Sequence, residues 1–171
     1  MEKYPLNLPK RRPSNRLPGY KYTQPGAYFI TICTYKMHNL FEIIAGNKVI
    51  LNNNGKIVES EWYRTAELRT NVEIYEDEFI IMPNHFHAII WIVDVGATGS
   101  VAREKSSSID PNSLGSIIGQ FKSQVSRKVN RIRGTPGQSV WQRNYYDRII
   151  RNVNELNYIR NYIELNPSNN K

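Results

Sequence analysis

Runs of β-branched and aromatic residues alternate along the chain with segments whose apolar positions recur at helical spacing, which predicts an α+β fold with an antiparallel sheet. Two strand-like runs separated only by Pro83-Asn84 give the hairpin that makes the sheet antiparallel. Five prolines and few aliphatics in residues 1–26 set these apart as a basic extended arm, leaving 27–171 as one folded domain. Tyr28-Phe-Ile-Thr-Ile-Cys-Thr-Tyr35 reads as the first strand, and Lys48-Val-Ile-Leu51 as a short second one before a turn at Asn52-Asn-Asn-Gly55. Ile57, Val58, Trp62 and Ala66 share a helical face within 56–68. Residues 75–82 and 85–93 read as paired strands, and 94–111 as a Gly/Ser/Asp-rich loop. Apolar positions 114, 117, 118, 121, 125 and 129 predict a second helix, and a turn follows at Gly134-Thr-Pro-Gly137. A last strand over 140–150 leads to a last helix over 152–166, with Asn152 and Glu155 as its N-terminal signal and Pro167 after it. The order strand–helix–strand–strand–helix–strand–helix is similar to that of ferredoxin-like sandwiches.

Composition narrows the function. The longest apolar stretch, 88–93, is far short of the roughly 20 residues of a membrane-spanning helix. No apolar signal region follows the first residues, so no membrane partner is expected. A single cysteine, Cys33, excludes an internal disulfide framework and suggests a reducing, cytoplasmic setting. Net charge is +8 and unevenly placed. Residues 1–26 carry six Lys/Arg against one Glu, and 101–151 carry ten against three acids, whereas 55–79 carry three against seven. One basic and one acidic side suggest a polyanionic partner, although a single charge run also fits a solvated face.

His85 and His87 are two of three histidines and lie two apart on an expected strand, so both imidazoles point to one face. By spacing alone they are either half-exposed sheet residues or two ligands of a divalent cation whose third ligand comes from elsewhere. His38, in the Lys36-Met-His-Asn39 loop, is expected at the surface.

Met82-Pro-Asn-His-Phe-His-Ala-Ile-Ile-Trp91 closely resembles the His-hydrophobic-His motif of single-tyrosine HUH transposases, specifically the REP-associated tyrosine transposases. The resemblance runs along nearly the whole chain. It includes Arg16-Leu-Pro-Gly-Tyr20 with Gly26-Ala-Tyr-Phe-Ile-Thr-Ile-Cys-Thr34, then Gln120-Phe-Lys-Ser-Gln124, Trp141-Gln-Arg-Asn-Tyr-Tyr-Asp-Arg148 and Ile159-Arg-Asn-Tyr-Ile-Glu-Leu-Asn-Pro167.

Eleven tyrosines make abundance uninformative. The resemblance implies Tyr162 as nucleophile, with Asn166 four residues on joining His85 and His87 in holding Mg²⁺ or Mn²⁺. Residues four apart on a helix share a face, so one docked helix can deliver both groups. Tyr145 and Tyr146 are the competing tyrosines, expected in a strand as core and DNA-surface residues.

The implied reaction is cutting and rejoining of single-stranded DNA at hairpin-forming palindromes, through a 5′-phosphotyrosine. Such a link conserves the bond energy, so no nucleotide cofactor is needed, and no G-x-x-x-x-G-K-[S/T] occurs. Lys10, Arg11, Arg12 and Arg16 of the arm, with Lys122, Arg127, Lys128, Arg131, Arg133 and Arg143, are the expected contacts to single-stranded or hairpin DNA. Tyr20, Tyr22 and Tyr28 are candidates to stack bases, with core packing equally open for Tyr28. The resemblance implies a nucleoid-associated protein and leaves monomer or homodimer open. Two alternatives stand beside it: a domesticated palindrome-binding regulator without turnover, and a phosphodiesterase that uses water instead of Tyr162.

Overall fold

The computed structural model describes residues 19–45, 48–94 and 110–166. It is an α+β fold whose five-stranded antiparallel sheet is built around one hairpin. The strands are β1 (Gly26–Cys33), β4 (Val72–Glu73), β5 (Phe79–Met82), β6 (His85–Ile92) and β7 (Tyr146–Ile150). The order is β4-β6-β1-β7, with β5 pairing the other end of the β6 edge that β4 occupies. A separate ribbon pairs β2 (Glu42–Ala45) with β3 (Lys48–Leu51), so the expected short strand has a partner that 42–45 had not suggested. The helices are α1 (Asn53–Glu67), α2 (Leu114–Arg133) and α3 (Val153–Leu165).

Strand periodicity sorts the side chains. Tyr28, Ile30 and Ile32 of β1, with Phe86, Ala88, Ile90 and Ile92 of β6, join Trp62 of α1 and Phe121 of α2 in the main core. There the rings of Trp62, Phe86 and Phe121 meet at 5.0 to 5.6 Å. The intervening residues, Ala27, Phe29 and Ile89, meet Ile159 and Ile163 of α3 on the opposite face. This second core holds five buried residues against twenty-one in the first. The nearly unbroken apolar runs of β1 and β6 follow from burial on both faces.

Several local expectations change. Asn52–Gly55 is no free turn: Asn52 is the N-cap of α1, its side chain accepting from the Asn54 and Gly55 amides, so the helix begins three residues before 56. The 75–82 segment is a strand only over β5, because a 3₁₀ turn at Glu76–Glu78 swings the Glu78 side chain beneath the sheet. The 140–150 segment is a strand only over β7. Upstream of it, the carbonyls of Gln142, Arg143 and Asn144 accept from the Lys122 ammonium instead of from a neighbouring strand. Helix α2 runs four residues beyond 129 and stops at Gly134, whose φ of +64° suits glycine.

Of the expected arm, residues 1–18 lie outside the described residues, and so does 95–109 of the expected loop. Residues 19–25 pack on the domain. Tyr22 and Tyr28 are buried in the main core, and the Tyr28 hydroxyl donates to the Gln24 carbonyl at 2.8 Å, which removes both rings as base-stacking candidates. Tyr20 sits half-buried against them.

Candidate active site

The β5–β6 turn brings the chain into β6 at His85, and strand alternation sends His85 and His87 to the α3 side of the sheet. Their ring centroids are 4.6 Å apart. Each Nδ1 is engaged by a neighbour. His85 Nδ1 lies 2.7 Å from Asn84 Oδ1, and His87 Nδ1 lies 2.8 Å from Thr31 Oγ1. Thr31 comes from the adjacent strand, because the β1–β6 register sets it opposite His87. Such partners orient an imidazole and leave Nε2 as the working nitrogen. Burial lowers the pKa of both rings, and His87 is pushed down to about 3 by burial and then by the neighbouring His85. Both are therefore neutral near pH 7, with lone pairs available.

Tyr162 reaches this pair from α3. Its hydroxyl is 3.3 Å from His87 Nε2, and its ring stands edge-on to Phe29, which stacks on His87. Burial raises the Tyr162 pKa above its usual value, while the Asn166 side chain pulls it back. Asn166 caps α3 one turn later and is buried. Its amide nitrogen has no partner within ordinary hydrogen-bond reach, yet lies close enough to favour the phenolate.

Two neutral imidazoles and an orphaned buried amide form a donor set that fits a divalent cation. A half-turn of the amide exchanges its nitrogen for the oxygen a cation prefers. Among the described residues, no cluster of three His, Cys, Asp or Glu side chains offers a competing site.

The two expected competitors part company. Tyr145 packs against the main core, on the far side of the sheet from α3, whereas Tyr146 of β7 is the register partner of Thr31 and so shares the histidine face, one strand further from His87 than Thr31. His38 is exposed, as expected.

The DNA-contact candidates divide. Lys10, Arg11, Arg12 and Arg16 lie outside the described residues. Arg127, Arg131, Arg133 and Arg143 are exposed, and Arg127 also donates to Gln124 Oε1. Lys122 and Lys128 have partners within the fold. Lys122 is a half-buried clamp on three carbonyls, its pKa lowered by burial, and Lys128 pairs with the buried Glu61. Both ammonium groups thus brace the fold.

Thr31, Asn84 and Phe29 carried no sequence signal as site residues. Their roles arise from strand register and turn geometry. No helix among the described residues is long and apolar enough to cross a membrane.

No family model matches the chain. An uncharacterized protein of Haemophilus influenzae is 36% identical, the alignment covering 96% of this chain and 92% of that protein. The solved structure of a REP-associated tyrosine transposase bound to a REP hairpin is similar over 98% of this chain and 73% of that one, with a TM-score of 0.54 and 16% sequence identity. That degree of likeness is one of fold. The chain accordingly belongs to one family with the Haemophilus influenzae protein, and that family has the fold of the REP-associated tyrosine transposase.

Proposed function

We propose that this protein is a metal-dependent single-stranded DNA transposase or endonuclease that cuts and rejoins DNA at hairpin-forming palindromes through Tyr162. The observation that carries the reading is the Tyr162 hydroxyl 3.3 Å from His87 Nε2, with the unpartnered Asn166 amide one helical turn away. A phenol, two oriented imidazoles and an amide on one face are the parts a phosphoryl-transfer site requires, and the fold likeness to a hairpin-bound transposase agrees with them.

In this reading Tyr162 Oη attacks a scissile phosphorus. A P–O bond to the tyrosine forms, the P–O3′ bond breaks, and the strand leaves with a free 3′-OH. Reversal onto another 3′-OH rejoins DNA without ATP. His85, His87 and Asn166 would hold Mg²⁺ or Mn²⁺, which supplies Lewis-acid polarisation of the phosphate when bound. Thr31 and Asn84 keep the two rings oriented, and Phe29 holds the phenol and His87 in contact. Exposed Arg127, Arg131, Arg133 and Arg143, with the arm cations Lys10, Arg11, Arg12 and Arg16, supply backbone affinity for hairpin DNA.

The test is a denaturing gel with labelled single-stranded hairpin DNA and Mn²⁺. Wild-type protein should form a covalent adduct. Tyr162→Phe should form none while binding the hairpin within a few-fold, and Tyr145→Phe and Tyr146→Phe should retain it. Cleavage without an adduct would indicate water as nucleophile. Binding without cleavage would indicate a regulator.

A further inference from the structure

Helix α3 has little to hold it. It buries only Ile159 and Ile163 fully, while Val153, Tyr158 and Leu165 are exposed. At its N-terminus Glu155 accepts from the Arg151 amide and pairs with Arg148, a side chain 61% exposed that adds little. One contact differs in kind. Glu78, fully buried in the 3₁₀ turn before β5, accepts from Arg160 Nε at 2.8 Å and Nη2 at 2.5 Å through Oε1. Its Oε2 accepts from Trp91 Nε1 of β6 at 2.6 Å. Both Glu78 and Trp91 belong to the β5–β6 unit that carries His85 and His87, and Arg160 lies two residues before Tyr162.

We propose that the Glu78–Arg160 pair, braced by Trp91, is the positioning lock of the tyrosine helix, tying α3 to the histidine hairpin and so setting where the Tyr162 phenol stands. The inference rests on Tyr162 being the nucleophile. Its physical basis is asymmetric. With Arg160 in place the buried carboxylate is matched. Without it the carboxylate keeps only the indole N–H, and the simplest way to solvate it is to lift α3 off the sheet. Reacting groups need alignment to within about an ångström, so a loosened helix loses rate far more than it loses DNA affinity. Arg160 is therefore a positioning residue and touches no reacting atom.

Amide hydrogen exchange and single-turnover adduct formation, measured on the full chain with a single-stranded hairpin and Mn²⁺, test it. In Arg160→Met, exchange across residues 153–165 should accelerate about tenfold or more while 114–133 keeps wild-type protection. Adduct formation should slow about 100-fold with hairpin affinity within about twofold. The double variant Glu78→Gln, Arg160→Met removes the unmatched carboxylate, keeps an acceptor for Trp91, and should recover protection and most of the rate. Unchanged exchange over 153–165 in Arg160→Met would overturn the lock. Equal acceleration in all three helices, or no recovery in the double variant, would overturn it too, by making the pair a general stabiliser. If wild-type protein forms no adduct, the nucleophile assignment fails, and the exchange data still decide whether the pair holds the helix.

Discussion

At Tyr162, two influences oppose each other. Burial disfavours the phenolate and raises the pKa, and the Asn166 amide, favouring the charged form, lowers it. Asn166→Ala should therefore move the Tyr162 titration to higher pH in metal-free protein, a shift readable from tyrosine ring carbon resonances. A downward or absent shift would mean that the amide does not act on the phenol. His87 makes a second pH-dependent feature. Its pKa is about 3 in the fold against an ordinary 6.5, so between those values the unfolded chain binds the extra proton. The stability that a neutral His87 contributes is complete above about pH 6.5 and is lost as the pH falls toward 3. Unfolding of metal-free His87→Gln across that window should show a flatter pH dependence than wild type. The site's two histidines were legible as a same-face pair, since strand alternation is local. Thr31 was not, because only pairing between β1 and β6 sets a hydroxyl 2.8 Å from His87 Nδ1.

Among the elements, α1 shows how a local signal can mislead. Asn52-Asn-Asn-Gly55 has the residues of a turn, yet Asn52 uses its side chain as a cap and the glycine sits inside the first helical turn. A Cβ on Gly55 would lie 2.3 Å from the Phe41 carbonyl oxygen, a backbone atom fixed in turn by the Asn52 amide. Gly55→Ala should lower stability by about 1–3 kcal/mol in denaturant unfolding. That is the reverse of the gain of about 1 kcal/mol that helix propensity alone would give. A neutral or stabilising result would show that α1 and the Phe41 segment move apart freely. The two long strands were readable from their runs of β-branched and aromatic residues, and α2 from its own helical period. The 140–145 segment was not, since it makes only an isolated bridge from Trp141 to Thr34 before a lysine from α2 takes the carbonyls of 142–144.

Across the whole molecule, the positive charge of the 101–151 region separates into two functions that composition merges. Lys122 and Lys128 hold carbonyls and a buried carboxylate, whereas Arg131 and Arg133 project from the end of α2 into solvent. Replacing Arg131 and Arg133 together by Ala should reduce the slope of log affinity against log salt for a hairpin stem by about 1.8, on the basis of about 0.9 per phosphate contact. Lys128→Met should leave that slope unchanged and lower stability instead, because Glu61 would be left buried without its partner. Equal slopes for wild type and the double arginine variant would remove the end of α2 from the DNA-binding surface.

Sequence alone determined the α+β class, the places of the two main strands, and the pairing of His85 with His87 on one face. Each of these depends on residue types and spacing within a single segment, which need no partner to be read. Tertiary structure decided what lies on that face. It docked α3 opposite the two larger helices and brought the Tyr162 hydroxyl to His87 across 75 positions of chain. It also drew Glu78 under the sheet to meet Arg160, and gave two lysines partners within the fold. Those outcomes depend on strand register and on which buried charge finds which partner, quantities that exist only once separate elements have packed.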